Sequence, residues 1–175
     1  MSKTAIFFSP EGGSVHHVAI KLGEMIGNDK VDIIPVFKAD KEDVEKYNQI
    51  IFVGSTVGAD HWSNETIVNE WQEFFPKIAE LSLDDKKLAI VGLGNSVLYP
   101  EHFADGMAHL YQELTNRNAN IFGFVDADDY TFEDSEAVND EGFFCGLALD
   151  EDNEDDLTPE RLENWINKLK ADFEF

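Results

Sequence analysis

The sequence predicts a doubly wound α/β domain: a five-stranded parallel sheet with helices on both faces. Three observations lead there. Short apolar, β-rich runs alternate with amphipathic helical stripes. The runs lack the in/out alternation of half-exposed strands, as expected where both faces are covered. Strict strand–helix–strand order implies right-handed crossovers between parallel strands. With 175 residues, 43% of them hydrophobic and 14 of them Phe, the chain has the size and apolar content of one domain spanning residues 1–175.

The first strand is expected over Thr4–Phe8. Val15, Val18, Ala19, Leu22, Met25 and Ile26 then recur at three- and four-residue spacing, the signature of a helix with one apolar stripe. A second strand follows over Val31–Phe37 and a third over Gln49–Gly54. Ile67, Trp71, Phe74, Phe75 and Ile78 form the next stripe, and Leu88–Gly92 the fourth strand. Phe103, Met107, Leu110, Tyr111 and Leu114 mark another helix, and Asn120–Phe124 the fifth strand. Leu162, Trp165, Ile166, Leu169 and Phe173 close the chain, with Thr158 and Pro159 forming a well-made helix start. The run Asp150–Asp156 reads as a solvated acidic loop.

Thirteen Lys and Arg against 36 Asp and Glu give a formal charge of −23. Such a surface excludes nucleic acid or an anionic membrane as the main partner and favours a basic protein. The single cysteine, Cys145, rules out an intramolecular disulfide and suits a reducing, cytoplasmic setting. It lies in an apolar run and reads as a small core residue. No window approaches the length of a membrane span, and Met1–Thr4 leads straight into the first strand without a signal-like segment. A soluble monomer is expected.

In open parallel sheets ligands sit beyond the carboxyl ends of the strands, so the loops after strands one, three and four are where function belongs. The first is Ser9-Pro10-Glu11-Gly12-Gly13-Ser14, which runs into a helix. Glycines and hydroxyls at a helix N-terminus suit a phosphate, because unpaired N–H groups and the positive end of the dipole converge there. The plainer alternative is a turn with Ser14 as helix N-cap. The loop is neither a Walker sequence nor a dinucleotide Gly-x-Gly-x-x-Gly. The second loop is Gly54-Ser55-Thr56-Val57-Gly58-Ala59-Asp60-His61-Trp62-Ser63-Asn64. The third is Gly92-Leu93-Gly94-Asn95-Ser96-Val97-Leu98-Tyr99-Pro100-Glu101-His102-Phe103-Ala104-Asp105.

The third loop resembles Gly-x-Gly-Asp-x-x-x-Tyr-x-x-x-Phe-x-Asp, a flavin-binding loop of the flavodoxin family, with Asn95 in place of the Asp. The C-terminal block strengthens the resemblance. Ile121-Phe122-Gly123-Phe124, then Asp129-Tyr130-Thr131-Phe132-Glu133-Asp134, then Phe143 to Asn153 and a last helix are similar to the end of long-chain flavodoxins. In those proteins a long loop interrupts the last strand of an FMN-binding sheet. The resemblance therefore implies FMN as cofactor and an interrupted fifth strand here.

It also implies roles for particular residues. Ser9, Gly12 and Ser14 fall on the family's phosphate-loop pattern, with Pro10 and Gly13 between them. Glu11 stands where a hydroxyl donor is usual, so it is expected to face solvent while amides and the two serines bind phosphate. Thr56, next to Ser55, falls near the phosphate. Gly58 falls where a peptide flip can turn a carbonyl toward flavin N5 once a proton arrives there, a flip that glycine permits at little steric cost. Val57 occupies the usual place of the aromatic on the inner flavin face, leaving Trp62 or an aliphatic side chain to cover it. Tyr99 becomes the candidate for the outer face, where its electron-rich ring favours oxidised flavin. Amides around Leu93, Gly94 and Asn95 would meet the pyrimidine edge.

The implied function is a low-potential single-electron carrier working between larger, basic redox proteins, with no catalytic residue of its own. Two alternatives stand beside it. One is a small flavin or quinone reductase, for which the chain offers no second nucleotide fingerprint. The other is an interaction module that has lost FMN, with Glu11, Val57 and Asn95 as scars. The segment Val125–Gly146 is either a partner-docking element or a cover for the sheet edge. Other constellations are poorer: adjacent His16 and His17 point apart on a helix, His102 and His109 lack a cysteine partner, and Asp150, Asp152 and Glu154 lack the glycine of a calcium loop. His61 reads as a solvated loop histidine.

Overall fold

In the computed structural model, which describes residues 3–56 and 69–175, a parallel sheet runs in the order β2-β1-β3-β4-β5. The strands are β1 (Thr4–Phe8), β2 (Val31–Pro35), β3 (Gln49–Ser55), β4 (Lys87–Leu93) and β5 (Asn120–Phe122). Helices α1 (Ser14–Ile26), α2 (Lys41–Glu45), α3 (Glu70–Lys77), α4 (Gly106–Thr115) and α5 (Thr158–Leu169) intervene. A two-stranded antiparallel ribbon, β6 (Val125–Asp126) with β7 (Phe143–Phe144), precedes a last short strand, β8 (Leu147–Leu149).

The central strands are buried along their length because alternate side chains enter two separate cores. Ala5, Phe7, Ile50, Phe52, Leu88 and Ile90 face α3 and α4, where they meet Trp71, Phe74, Met107 and Leu110. Ile6, Phe8, Ile51, Val53, Ala89 and Val91 face α1 and α5, where they meet Val18, Leu22, Leu162 and Trp165. This two-sided burial is why the sequence shows continuous apolar runs.

The fifth sheet position is shared. β4 pairs in parallel with β5 through Lys87, Leu88 and Ala89, and with β8 through Val91, Gly92 and Leu93. The chain leaves the sheet at Gly123, whose φ of 81° belongs to the left-handed region and whose carbonyl accepts from Trp165 Nε1 at 2.8 Å. It re-enters at Gly146. A Cβ there would lie 2.1 Å from the Ile90 carbonyl oxygen, so no other residue fits without moving the sheet. The intervening segment folds onto α4 and the third loop: Tyr130, Phe132 and Phe144 pack around Phe103, and Tyr130 Oη donates to the Ala148 carbonyl at 2.7 Å.

Several element boundaries differ from expectation. The second strand ends at Pro35 and continues as a 3₁₀ turn, Val36–Lys38, because proline gives the ladder no N–H beyond that point. The fifth strand stops at Phe122 because Gly123 turns out of the sheet. Helix α2, absent from the apolar pattern, is short and is held by a reciprocal capping box between Asp40 and Asp43. Thr158 does not cap α5; Leu157 occupies that position, and the Thr158 hydroxyl donates instead to Glu151. Phe103 and Phe173 lie outside their helices yet remain buried. Ile67 lies outside the described residues.

Replacing Gly146 with Ala forces backbone movement between β4 and β8. A loss of about 1–3 kcal/mol or more is expected, and urea unfolding of the variant beside the parent chain measures it.

Candidate functional site

The loops after β1 and β4 and the end of β3 meet at the carboxyl-terminal end of the sheet, where β1 and β3 send their crossovers to opposite faces. Their described residues line an open cavity of about 290 Å³. Pro10 and Ser14 line it at the start of α1, Ser55 and Thr56 at the end of β3, and Leu93, Gly94, Asn95 and Tyr99 after β4. A larger cavity of about 390 Å³ lies between α3 and α4, but none of its lining residues belongs to these loops.

At the first loop, Gly13 is the N-cap of α1 and no side chain caps the helix, so Ser14 is not a cap. The first-turn amides therefore have no intrahelical acceptor. The Gly12 N–H donates to His16 Nδ1 at 3.0 Å, and the His16 ring stacks on Phe8. Glu11 is exposed, with its carboxylate 3.7 Å from Lys38 Nζ. Ser9 does not line the cavity. It continues the β1 ladder by donating its N–H to the Val53 carbonyl at 3.2 Å, and its buried hydroxyl donates to Glu70 at 2.5 Å.

At the second loop, Thr56 is held from two sides. Its N–H donates to the Leu93 carbonyl at 2.9 Å, and its Oγ1 accepts from the Gly106 N–H at 2.9 Å, leaving the hydroxyl hydrogen for another partner. A side chain on Gly106 would collide with the Ser55 carbonyl, its Cβ falling 2.6 Å from that oxygen, so glycine lets α4 approach β3. Val57, Gly58 and Trp62, expected at the inner face and the peptide flip, lie outside the described residues, as does His61.

The third loop projects into solvent: Val97 and Leu98 are each 69% exposed and Tyr99 43%. The Tyr99 N–H donates to the Asn95 carbonyl at 3.0 Å, and Gly94 N–H to the Leu149 carbonyl at 2.9 Å. The far end of the loop is tied to the inserted segment. Pro100 accepts from the amides of Glu133 and Asp134, and Asp105 Oδ1 from the Glu136 amide at 2.8 Å. Asp105 Oδ2 lies 2.9 Å from His102 Nδ1. That hydrogen bond, helped by the charges of Asp105, Glu101 and Glu136 and opposed by desolvation, raises the His102 pKa above its ordinary value.

Sequence reasoning missed four lining residues: Val15, Leu98, Glu151 and Asp152. Val15 and Leu98 read as generic apolar positions. The two acids lie far along the chain in a run that reads as solvated, and only the return of β8 beside β4 brings them to the cavity. Cys145 is buried, and desolvation pushes its thiol up to about 12, so it is a packing residue. Among the described residues no group of His, Cys, Asp and Glu could hold a metal ion, and no helix is long and apolar enough to cross a membrane.

Comparison with known proteins gives the same picture. The flavodoxin family model matches residues 6–165. The chain belongs to the flavodoxin family. It is 35% identical to a flavodoxin of Helicobacter pylori over 173 residues, 99% of each chain, and 31% identical to flavodoxin 1 of Escherichia coli K12, covering 98% and 95% of the two chains. The structure superposes on a Fusobacterium nucleatum flavodoxin bound to flavin mononucleotide with a TM-score of 0.86 at 27% identity, covering 99% of this chain and all of that one. Flavodoxins pass electrons to redox partner proteins and are not enzymes.

Because the raised His102 pKa reflects a partner gained on folding, the associated stabilisation is fully present below the unfolded value of 6.5 and is lost as pH rises through the folded value. An NMR titration of the His102 ring should give a midpoint above 6.5 in the parent chain, and Asp105→Asn should bring it back toward the ordinary value.

Proposed function

We propose that this flavodoxin binds FMN in the cavity between the three loops and carries single electrons at low potential between larger redox proteins. The observation that carries the reading is the convergence of a helix N-terminus, an exposed Tyr99 and the backbone edges of two strand ends on one open cavity. For this strand order, FMN at the β1/β3 switch point is already the general rule in flavodoxins. The cavity fits the group chemically. A Cβ on Gly12 or Gly13 would meet no atom within 4 Å, so an anion can approach the first-turn amides of α1, and the Tyr99 side suits a planar ring.

Phosphate would be held by the first-turn amides of α1, the Ser14 hydroxyl and the Thr56 hydroxyl, since the Ser9 and Gly12 amides are engaged by Val53 and His16 and Pro10 has none. Ser9 contributes through Glu70 rather than by direct donation, since its one hydroxyl hydrogen is engaged there. Glu11, drawn to Lys38, leaves the amides to the anion. Leu93, Gly94 and Asn95 would line the pyrimidine edge, without the expected donation from the Gly94 amide, which is engaged by the Leu149 carbonyl, and Tyr99 would line the outer face. Bound FMN supplies the one-electron chemistry; the chain's residues bind it, orient it and set its potential.

That potential follows from charge. Glu151 and Asp152 line the cavity within a chain of formal charge −23. Added negative charge on the flavin is disfavoured here, and each ~1.4 kcal/mol of differential destabilisation lowers a one-electron potential by ~59 mV. The same field favours basic redox partners in brief, salt-sensitive encounters and opposes self-association, so the carrier acts as a monomer. A single domain spanning 1–175 and a reducing cytoplasm, which suits the lone buried Cys145, complete the reading.

Purified protein should show flavin absorbance bands, or acquire them on addition of FMN, and should take up electrons in two resolved one-electron steps on anaerobic dithionite titration. Failure to take up FMN would remove the reading. Tyr99→Leu should shift the flavin bands and move the potential of bound flavin toward that of free FMN, and an unchanged spectrum and potential would take Tyr99 out of the site.

A further inference from the structure

The tip of the third loop cannot be held in place by burial. Val97, Leu98 and Tyr99 are all exposed, so whatever fixes this side of the cavity must be polar. The anchor comes from the turn after β8. Asp150 is fully buried, and its Oδ2 accepts from the Ser96 N–H at 3.0 Å and from Ser96 Oγ at 2.6 Å. Its Oδ1 accepts from the Asn153 N–H at 3.1 Å, and Asn153 Nδ2 donates to both oxygens at 3.0 Å. Every partner is a donor. Burial opposes ionisation of Asp150, but these hydrogen bonds outweigh it and hold the carboxyl below its ordinary range, so it is an anion at neutral pH.

Asn95 completes the attachment. Its Oδ1 accepts from the amides of Val97 at 3.1 Å and Leu98 at 2.9 Å, and from Asn153 Nδ2 at 3.0 Å. Its Nδ2 donates to Asp152 Oδ2 at 3.0 Å. Three donors surround the oxygen and a carboxylate meets the nitrogen, which fixes the orientation of the amide. An aspartate at this position would keep the three donors but place its second oxygen against Asp152.

We propose that the 150–153 turn positions the third loop over the cavity, with Asp150 as positioning residue and the Asn95–Asp152 pair as a polarity-matched latch, which is why this chain carries asparagine at 95. The proposal rests on the FMN reading. Asp150 does not line the cavity. It acts through Ser96, three residues before Tyr99, so its loss changes how firmly the ring-bearing loop sits on the flavin.

The test uses the full chain and three variants, with FMN and riboflavin dissociation constants, visible circular dichroism of the bound flavin, and the thermal midpoint of the flavin-free protein. Asp150→Asn leaves one acceptor oxygen and turns an amide toward donors. It should weaken FMN and riboflavin alike by about tenfold, the scale of one hydrogen bond to a charged group, and should alter the flavin dichroism. Asn95→Asp should weaken both ligands by a similar factor, and Asn95→Asp combined with Asp152→Asn should restore them, because the pair is then matched with reversed polarity. Rescue is a readout that a merely structural role would not give, and it decides the matter even if Asp150→Asn fails to fold. Wild-type affinity in Asn95→Asp, or a double variant no better than that single one, overturns the latch. Unchanged affinity and dichroism in a folded Asp150→Asn overturns its positioning role. A parent chain that takes up no FMN overturns the functional reading, and this one with it.

Discussion

Burial of the sheet on both faces is the constraint from which the rest of this flavodoxin follows. A strand with no solvent-facing side needs a helix above and below, and parallel neighbours need crossovers that supply them. Parallel strands then end on the same side, so the starts of the connections after β1, β3 and β4 are brought together although they are distant in sequence. The packing that stabilises the sheet therefore also builds the cavity. Phe7, Phe52 and Phe74 pack on one side and Phe8, Leu22 and Trp165 on the other, and neither group lines the cavity.

The interrupted fifth strand adds a second use of the same edge. Gly123 lets the chain out and Gly146 lets it back in, and between them the chain reaches the third loop. Pro100 and Asp105 accept backbone hydrogen bonds from that segment at one end of the loop, while the turn after β8 grips Asn95 and Ser96 at the other. A loop with exposed Val97, Leu98 and Tyr99 is thereby held by polar contacts at both ends, leaving an apolar tip accessible beside the cavity. Accessibility of that kind suits a protein whose work is to bring one edge of a redox group close to a partner.

Charge is distributed to the same end. Glu151 and Asp152 stand at the cavity, Glu70 holds Ser9 beneath it, and Glu11 is drawn off to Lys38. Acidic residues thus have different surroundings here: two line the cavity, one accepts from a serine hydroxyl, and one faces a lysine.

The sequence by itself determined the strand cores and the helix stripes, because apolar periodicity is a local property, and it pointed to the strand-end loops whose described residues line the cavity. It also carried the family resemblance that named FMN and the interrupted strand. Only the tertiary structure decided which side chains of a continuous apolar run face which core: Phe7 and Phe8 are adjacent in sequence and lie in different clusters. It alone turned Ser9 toward Glu70, assigned the helix cap to Gly13 and Leu157 rather than to Ser14 and Thr158, and brought Asp150, Glu151 and Asp152 to the third loop. The physical reason is range. A run of acids looks solvated when only its neighbours are known, and becomes an anchor once a parallel strand returns beside β4 and presents it to donors more than fifty residues away.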